Sequence, residues 1–474
     1  MAIQRPTLLC LLGLFAFLHF QLAATTIDVT AFTESNTIER DICIIGGGSS
    51  GTYAAVRLLQ SGKSVALIEK QDRLGGHVNT YIDPATGVSF DYGVLFLDNI
   101  TVVVDYASFL NVSLAVLSQQ QGPIDYANFA TGDLVPATIF PSITAQVEAF
   151  LTYSKILDQY PFLSNGFDLP DPVPADLLLP FGEFLQIYNL STIAIDILFV
   201  AEVGNILAQP TLYIMKVFPQ ITVDTFSSEN SLSTANQDNQ ELYNAALAYI
   251  GNRTNVFLGS KVVQIERSEC SVKVVVSTPY GEKLIKASKL LIAIQPKLEN
   301  LESIGLDLDR QEKYLFGQFN NDYLWNMVIS NAIPSSNRIL NIQPGALGLV
   351  PSLPGLYFIY PTRVPDLYVA AYGSPYYLSN DQVKADVLAT LARINAANGV
   401  PTNSTPKIVA FQNHSPWTLK VSVEAIKSGF YSDVNALQGQ GNTWWTGATF
   451  QAQDSSLIWN WTEYNLLPRI LASL

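Results

Sequence analysis

The sequence predicts an α/β fold, in which a parallel sheet covered by helices is interleaved with a second, mixed α+β domain. One observation is a glycine-rich loop between a buried strand and a helix, beginning at Gly46. Another is the return of strand patterns in two later stretches, separated by long apolar helical patterns that do not alternate with strands. The first domain is therefore expected to comprise residues 40–125, 225–300 and 405–474, and the second domain residues 126–224 and 301–404.

The loop is a complete G-x-G-x-x-G motif, followed by a helix and a second strand that ends in an acid. Gly46 allows a tight turn, Gly48 lets the backbone approach a pyrophosphate, and Gly51 lets the helix pack closely on the strand. Ser50 lies at the start of this helix, whose free N–H groups favour phosphate. Glu69, 18 residues past Gly51, is placed to accept hydrogen bonds from a ribose. This order predicts a Rossmann-type dinucleotide site, for either FAD or NAD.

The sequence Arg73-Leu74-Gly75-Gly76-His77 follows shortly after this acid. It resembles the R-x-G-G-[R/H] element of flavin-containing amine oxidases, in which the arginine and the glycine pair run beside the FAD pyrophosphate and ribityl chain. The resemblance implies FAD as the cofactor, bound in part by Arg73, Gly75 and Gly76. His77 adjoins the glycine pair, where it would contact the pyrophosphate or a neighbouring side chain, or hold the flavin covalently.

Two later segments extend the resemblance. Val262 begins a V-x-x-I strand whose valine touches the adenine in that superfamily, and Gly447 lies in a T-G-A turn that runs beside the ribityl chain. The next helix would point its N-terminus at the flavin pyrimidine ring, with Ser456 near its start. The stretch R-L-G-G-H-V-N-T-Y-x-D-P is similar to that of fungal flavoproteins around β-cyclopiazonate dehydrogenase. In that group the flavin removes a hydride equivalent from an alkaloid-like substrate, and oxidative ring closure follows.

The resemblance implies an FAD-dependent oxidoreductase that takes a hydride from a hydrophobic small molecule, a specialised metabolite, with ring closure or desaturation. Dioxygen is the expected electron acceptor. Hydride transfer depends on positioning, so it does not require an acid–base pair. No motif identifies the catalytic residues, for which the candidates are His414, Asn326 and Trp445. Asn326 lies on the strand where monoamine oxidases carry a lysine near the flavin.

Two other functions remain open. One is an amine or amino-acid oxidase that produces an imine and hydrogen peroxide, and the other is a flavin-binding protein without turnover. A hydrolase is less favoured, because the G-x-S-x-G match lies inside the phosphate loop, where the glycines already have a role. No H-x-x-H or H-E-x-x-H pattern occurs, so a metal site is not expected.

The N-terminus and the sequons predict a glycoprotein that is secreted or stays in the lumen of the secretory pathway. Residues 1–24 combine a basic start, a short apolar core and a small-residue cleavage site, as in a signal peptide. No later apolar run is long enough for a membrane span, so stable membrane insertion is not expected. The net charge of −14 makes nucleic-acid binding unfavourable. Glycosylation is predicted at the seven N-x-[S/T] sequons, Asn99, Asn111, Asn189, Asn252, Asn403, Asn413 and Asn460.

Overall fold

The structure is a computed structural model that describes residues 26–117, 123–251, 256–331, 337–399 and 405–474. The predicted signal peptide and the sequons at Asn252 and Asn403 lie outside the described residues.

The strands of the described chain are, in order, β1 Thr37–Ile45, β2 Val65–Ile68, β3 Thr80–Ile82, β4 Ser89–Asp91, β5 Leu114–Val116, β6 Ile124–Ala127, β7 Leu134–Val135, β8 Leu232–Thr234, β9 Val256–Phe257, β10 Lys261–Arg267, β11 Val272–Thr278, β12 Gly281–Ile292, β13 Asn320–Ser330, β14 Arg338–Asn341, β15 Gly355–Pro361, β16 Leu367–Ser374, β17 Lys407–Asn413, β18 Trp417–Lys420 and β19 Thr443–Trp445. Most of them belong to two large sheets.

The α-helices of the described chain are α1 Ser49–Gln60, α2 Thr101–Phe109, α3 Ile143–Leu157, α4 Ala175–Leu178, α5 Phe181–Ile187, α6 Ala194–Ala201, α7 Thr211–Val217, α8 Gln220–Ser227, α9 Gln240–Ile250, α10 Leu298–Ser303, α11 Arg310–Phe316, α12 Asn380–Ala397, α13 Val423–Lys427, α14 Phe430–Ala436, α15 Ser455–Trp461 and α16 Leu467–Ala472. Helices α3 to α8 follow one another with no strand of either large sheet between them, as the helical patterns predict.

The first sheet has parallel strands at its centre. β1 pairs in parallel with β2 on one side and with β12 on the other, and β19 adds to the far end of β12. The side chains from Ile42 to Ile45 are all buried, which explains the central position of β1, because helices and loops cover both faces of a parallel sheet. β9 extends the sheet beyond β2, whereas β10 and β11 extend it beyond β12 as antiparallel strands.

The second sheet has the order β17-β13-β16-β15-β14-β6-β7, with β18 also paired to β13. On one face, α12 packs its Val387 in the same apolar cluster as Trp325 of β13. Alternate residues of β13, Leu324 and Val328, belong instead to the larger core that is shared with the first sheet. The second sheet therefore turns one face to α12 and the other toward the first domain.

One predicted domain boundary differs from the observed sheets. The sequence prediction assigns residues 405–474 to the first domain, but β17 and β18 pair with β13 and so extend the second sheet. The long strand β13 has a free edge with which both β17 and β18 can pair. The sequence pattern of β17 does not indicate which of the two sheets this strand joins. The other predicted boundaries stay predictions.

The last helical segment contains a proline, Pro468, at a position where a helical sequence pattern predicts that the helix ends. After α15 the chain makes a π-helical turn, Thr462–Leu466, and continues as α16 with Pro468 inside its first turn. The π turn restarts the hydrogen-bond pattern, and a proline is tolerated in the first turn of a helix because its missing N–H has no intrahelical acceptor there.

Candidate functional site

A cavity of about 1830 Å³ lies between the two sheets. One part of its wall comes from the carboxyl ends of β1 and β2 and from the start of α1, where open α/β sheets bind ligands. The rest comes from α6 and α8 and from the inner face of β14, β15 and β16. We call these the loop side and the cap side of the cavity.

The predicted glycine loop forms the centre of the loop side. Gly46 has a φ of +105°, which favours glycine, and a Cβ on Gly51 would lie 1.9 Å from the Gly46 carbonyl oxygen. Gly48 precedes α1 without a side-chain cap, so N–H groups of the first turn are left for a ligand. Gly48, Gly46 and Ser50 line the cavity, whereas Gly51 does not line it and serves the close packing of α1.

The Gly75-Gly76 pair lies against this loop, as the resemblance implies. The Gly75 N–H donates to the Gly47 carbonyl at 2.8 Å. A Cβ on Gly76 would lie 3.0 Å from the Gly48 Cα, so the two backbones approach closely only because both residues are glycines. Both members of the pair line the cavity. The free N–H groups and this narrow glycine cradle fit the pyrophosphate of a dinucleotide.

Glu69 lines the cavity at the end of β2, and it also holds the loop in place. One carboxylate oxygen accepts the Gly47 N–H at 2.7 Å, and the other accepts the Gln71 N–H at 2.8 Å. The side chain is buried, yet each oxygen has a second lone pair that can accept a hydrogen bond. Glu69 can therefore order the loop and accept a ribose hydroxyl at the same time.

Arg73 does not line the cavity, contrary to the role that the resemblance implies. Its guanidinium donates to the Gln240 side-chain oxygen at 2.8 Å and to the Asn79 side-chain oxygen at 2.9 Å. It also reaches the carbonyls of Leu74 and Gly76. The arginine is engaged by the protein itself, because it fixes the glycine pair from behind and ties it to α9.

His77 lines the cavity and stacks on His414, with ring centroids 4.5 Å apart. Burial, with Lys70 and Arg73 nearby, lowers the pKa of His77 to about 4. Burial also lowers the pKa of His414 well below its usual value. Both rings are therefore neutral at pH 7, so neither histidine places a positive charge at the cavity.

His414 itself lies behind His77 and does not line the cavity. Its Nε2 lies 2.9 Å from the Asn79 side-chain nitrogen, whose orientation is set by the contact of its oxygen with Arg73. That nitrogen is a donor, so His414 accepts at Nε2 and carries its proton on Nδ1. The candidate His414 thus acts on the cavity only through His77.

Val262 and Gly447 both line the cavity as expected, and the position of a Gly447 Cβ would be 3.5 Å from the Ser50 hydroxyl. Ser456 does not line it. Its side chain is fully buried, and its hydroxyl accepts the Asp98 N–H at 2.9 Å. Ser455, one residue earlier, lines the cavity instead, because successive residues of a helix point about 100° apart.

The structure contradicts the candidate Trp445. Its side chain is buried in the core, with its ring centroid 4.7 Å from that of Phe316, and it does not line the cavity. The next residue, Thr446, lines the cavity, since side chains alternate along β19. Asn326 lies buried on β13 and does not line the cavity. Its side-chain oxygen has no hydrogen-bond partner in the described chain.

Sequence reasoning missed a polar cluster on the cap side, formed by Asp196, Glu202, Arg338 and Tyr360, which all line the cavity. Burial raises the pKa of Asp196 to about 6 and that of Glu202 to about 8. The Arg338 guanidinium lies over the Tyr360 ring, 5.8 Å from its centroid. Ionisable residues in segments with few charges are the only sequence signal for this cluster.

A second missed feature is a pair of acids beside the start of α15. Asp454 caps α15 by accepting the Leu457 N–H at 2.8 Å, and it lines the cavity. Asp98 is fully buried, and burial together with the charge of Asp454 raises its pKa to about 8. The Asp98 carboxyl is therefore protonated at pH 7.

Comparison with known proteins gives the family. Residues 44–103 match a sequence family described as an NAD(P)-binding Rossmann-like domain. The chain is 38% identical over 460 residues to the FAD-dependent oxidoreductase oblC of Cochliobolus heterostrophus, with 95% of each protein covered. This chain belongs to that family of fungal FAD-dependent oxidoreductases. It is also 33% identical over 432 residues to the β-cyclopiazonate dehydrogenase of Aspergillus oryzae, covering 90% of this chain and 92% of that protein.

Solved structures confirm the predicted fold class. A CLA-producing fatty acid isomerase from P. acnes has a TM-score of 0.73 at 19% identity, covering 91% of this chain and 98% of that one. A putrescine oxidase bound to putrescine has a TM-score of 0.63 at 18% identity, covering 92% of this chain and 100% of that one. At these identities the likeness concerns the fold alone.

These comparisons confirm FAD as the cofactor and the protein as an FAD-dependent oxidoreductase. The matched family is described by NAD(P), but it covers only the βαβ unit, which both dinucleotides use. Among the helices of the described chain, none combines the length and apolar character that a membrane crossing needs.

Proposed function

We propose that this protein takes a hydride from a carbon of a hydrophobic small molecule, a specialised metabolite, and that desaturation or ring closure follows. The observation that carries the proposal is one continuous cavity that joins the glycine loop to an apolar chamber. The chamber wall is rich in aromatic and aliphatic side chains, among them Phe199, Val200, Phe226, Leu340, Phe358 and Val369. Such a wall excludes water and binds an apolar body.

FAD supplies the hydride acceptor in this chemistry. Residues of this chain would hold it: the first turn of α1 and the Gly75-Gly76 pair would bind the phosphates, and Glu69 would accept a ribose hydroxyl. Asp454 and Ser455 lie at the start of α15, where a helix N-terminus stabilises developing negative charge. The neutral rings of His77 and Trp417 contribute an apolar wall of the cavity.

An amine or amino-acid oxidase is the second candidate, because Asp196 and Glu202 place two carboxyl groups in the cavity that a cationic amine would neutralise. Both candidates predict a yellow protein. A flavin-binding protein without turnover predicts the same colour, so the discrimination must come from reduction of the flavin.

Anaerobic titration of the purified holoenzyme, followed by the visible flavin absorbance, tests the proposal. We expect bleaching by apolar polycyclic or prenylated metabolites and none by simple alkylamines. Bleaching by alkylamines, with hydrogen peroxide on reaeration, favours the amine oxidase. A panel of both classes that leaves the flavin oxidised contradicts turnover, and a protein that neither contains nor takes up FAD contradicts every version of the hypothesis.

We also propose dioxygen as the electron acceptor. The rate at which the bleached enzyme regains its colour in air-saturated buffer checks this part. Slow reoxidation in air, with fast reoxidation by a quinone or dye, identifies a dehydrogenase instead.

Secretion through the signal peptide and N-glycosylation remain proposals as well. The side chains of Asn99, Asn111, Asn189 and Asn413 are exposed, which glycosylation requires, whereas Asn460 is half-buried. We therefore expect glycans at the first four positions before Asn460. Peptide mapping of the protein from culture medium, with and without a glycosidase, locates them, and N-terminal sequencing shows whether the chain starts near residue 25.

A further inference from the structure

The cap side of the cavity contains an arginine without a counter-ion. Arg338 is half-buried on β14 and lines the cavity, and its Nε is buried without a hydrogen-bond partner. No carboxylate of the described chain forms an ion pair with it. Its guanidinium lies over the Tyr360 ring, 5.8 Å from the ring centroid.

Two other arginines of the described chain are held by protein oxygens. Arg267 is held by Asp307 and Glu312 at 2.6 Å each. Arg363 also lines the cavity, but its guanidinium donates to the carbonyls of Ser89 and Asn236. The Arg338 guanidinium reaches the cavity, and its buried Nε has no acceptor in the described chain, so a bound anion would supply that acceptor.

The neighbours of Arg338 leave room for such an anion. Tyr360 is adjacent on β15 and Tyr126 on β6, while Asp196 and Glu202 approach from α6 and its end. Glu202 has no ion pair or side-chain hydrogen bond in the described residues, and burial raises its pKa to about 8, so at pH 7 it is a neutral hydrogen-bond donor. Asp196, whose pKa is about 6, is the one neighbour that opposes an anion at neutral pH.

We propose that Arg338 binds an anionic oxygen group of the substrate, such as a carboxylate, through its planar fork of N–H donors, with Glu202 and Tyr360 as further donors. The apolar body of the substrate then lies in the chamber, and the anion fixes which carbon faces the loop side. This inference rests on the proposed function, since it names the class of substrate for the same cavity.

The competing explanation is that Arg338 merely stacks on Tyr360. Arg469 provides the matched control, because its guanidinium lies 5.4 Å from the Trp444 ring centroid, at an exposed position on α16 outside the cavity. If stacking is the whole role, replacing either arginine affects an anionic and a neutral ligand alike.

The experiment measures the dissociation constants of decanoate and decan-1-ol on the FAD-loaded protein by calorimetry. Wild type is expected to bind decanoate more tightly than the alcohol. Arg338→Met should weaken decanoate binding by about tenfold or more and leave the alcohol within about twofold. Arg338→Lys keeps the charge without the fork and should fall between. Arg469→Met should change neither ligand.

Two results overturn the inference: wild type that binds decanoate no better than the alcohol, or Arg338→Met that weakens both ligands equally. Retained binding of the alcohol shows that the variant is folded, and Arg338→Lys gives a second test if the methionine variant does not purify. No turnover is needed for these measurements. An Arg338-dependent anion site in a protein whose flavin no metabolite bleaches would leave this inference intact and remove the proposed function.

Discussion

The loop side and the cap side of the cavity satisfy their polar groups in opposite ways. On the loop side, Glu69 and Arg73 use their side chains on backbone groups and on neighbouring amides. On the cap side, Arg338 Nε and Asp196 Oδ2 are buried without partners in the described chain. The side chains of Glu69 and Arg73 are therefore held by the protein itself before any ligand arrives, and N–H groups of the loop are left for the cofactor. The cap side has buried polar atoms without hydrogen-bond partners, which is typical of a site where a substrate binds.

The largest effect is expected from a substitution that disrupts the packing of the glycine loop on the loop side. Gly51→Val introduces a side chain whose Cβ would lie 1.9 Å from the Gly46 carbonyl oxygen, so β1 and α1 cannot keep their spacing. We expect loss of bound FAD and a fall of more than about 3 kcal/mol in the free energy of unfolding. Gly62→Ala, at a positive φ but with open space around it, should cost only about 1 kcal/mol and keep the flavin. Flavin content and urea unfolding measure both; a yellow Gly51→Val protein would contradict the packing argument.

The second prediction concerns Glu202 on the cap side, which should make the free energy of unfolding depend on pH. The pKa of Glu202, about 8 in the folded protein against 4.5 normally, means that folding favours its protonated form. Its contribution to stability is thus fully present below pH 4.5 and is lost as the pH rises toward 8. Glu202→Gln should remove this loss and stabilise the protein at pH 8 relative to wild type, by several kcal/mol at most, since one pKa unit is about 1.4 kcal/mol.

Urea unfolding across this pH range gives the comparison. Glu302→Gln, at an exposed position on α10, is the control and should follow the wild-type profile. Parallel profiles for wild type and Glu202→Gln would show that Glu202 is ionised in the folded protein and would weaken the contrast between the two sides.

Glu69→Gln tests whether Glu69 orders the glycine loop and binds the ribose of FAD. An amide has only one acceptor atom, so either the Gly47 or the Gln71 N–H loses its partner, and the ribose loses a charged acceptor. We expect FAD affinity to fall by about 10- to 100-fold, from roughly 1.5–3 kcal/mol for a hydrogen bond to a charged group. Fluorescence titration of the apoprotein measures it. Glu39→Gln, an exposed residue in a surface ion pair, should bind FAD as wild type does; equal affinity for Glu69→Gln would refute the role.

The smallest effect separates two adjacent serines. Ser456→Ala removes the acceptor of the buried Asp98 N–H and should lower the free energy of unfolding by about 1 kcal/mol without changing the flavin spectrum. Ser455→Ala, whose hydroxyl lies at the cavity 2.9 Å from that of Ser49, should shift the flavin absorbance with little loss of stability. The reverse pattern would return Ser456 to the cofactor site.

Three sequence predictions differ from the structure for one reason. Arg73, Ser456 and Trp445 lie close in sequence to residues that line the cavity, but they do not line it themselves. A motif specifies the backbone path, whereas the direction of each side chain depends on neighbours such as Gln240, which is 167 residues from Arg73. Helix ends, in contrast, follow local signals: α9 ends at Ile250 before Gly251, and Ser379 caps α12 in a capping box with Gln382.

The sequence by itself determined the glycine loop and the acid after β2, because these depend on backbone conformation within one continuous segment, and the resemblance of three segments to flavin-containing amine oxidases implied FAD. Only the tertiary structure decided the cap side. Arg338 lies more than 130 residues of chain from Asp196 and Glu202, and only the fold brings the three together beside Tyr360 of β15. Unpaired charges that converge in this way leave no local pattern, since each one by itself looks like an ordinary surface residue.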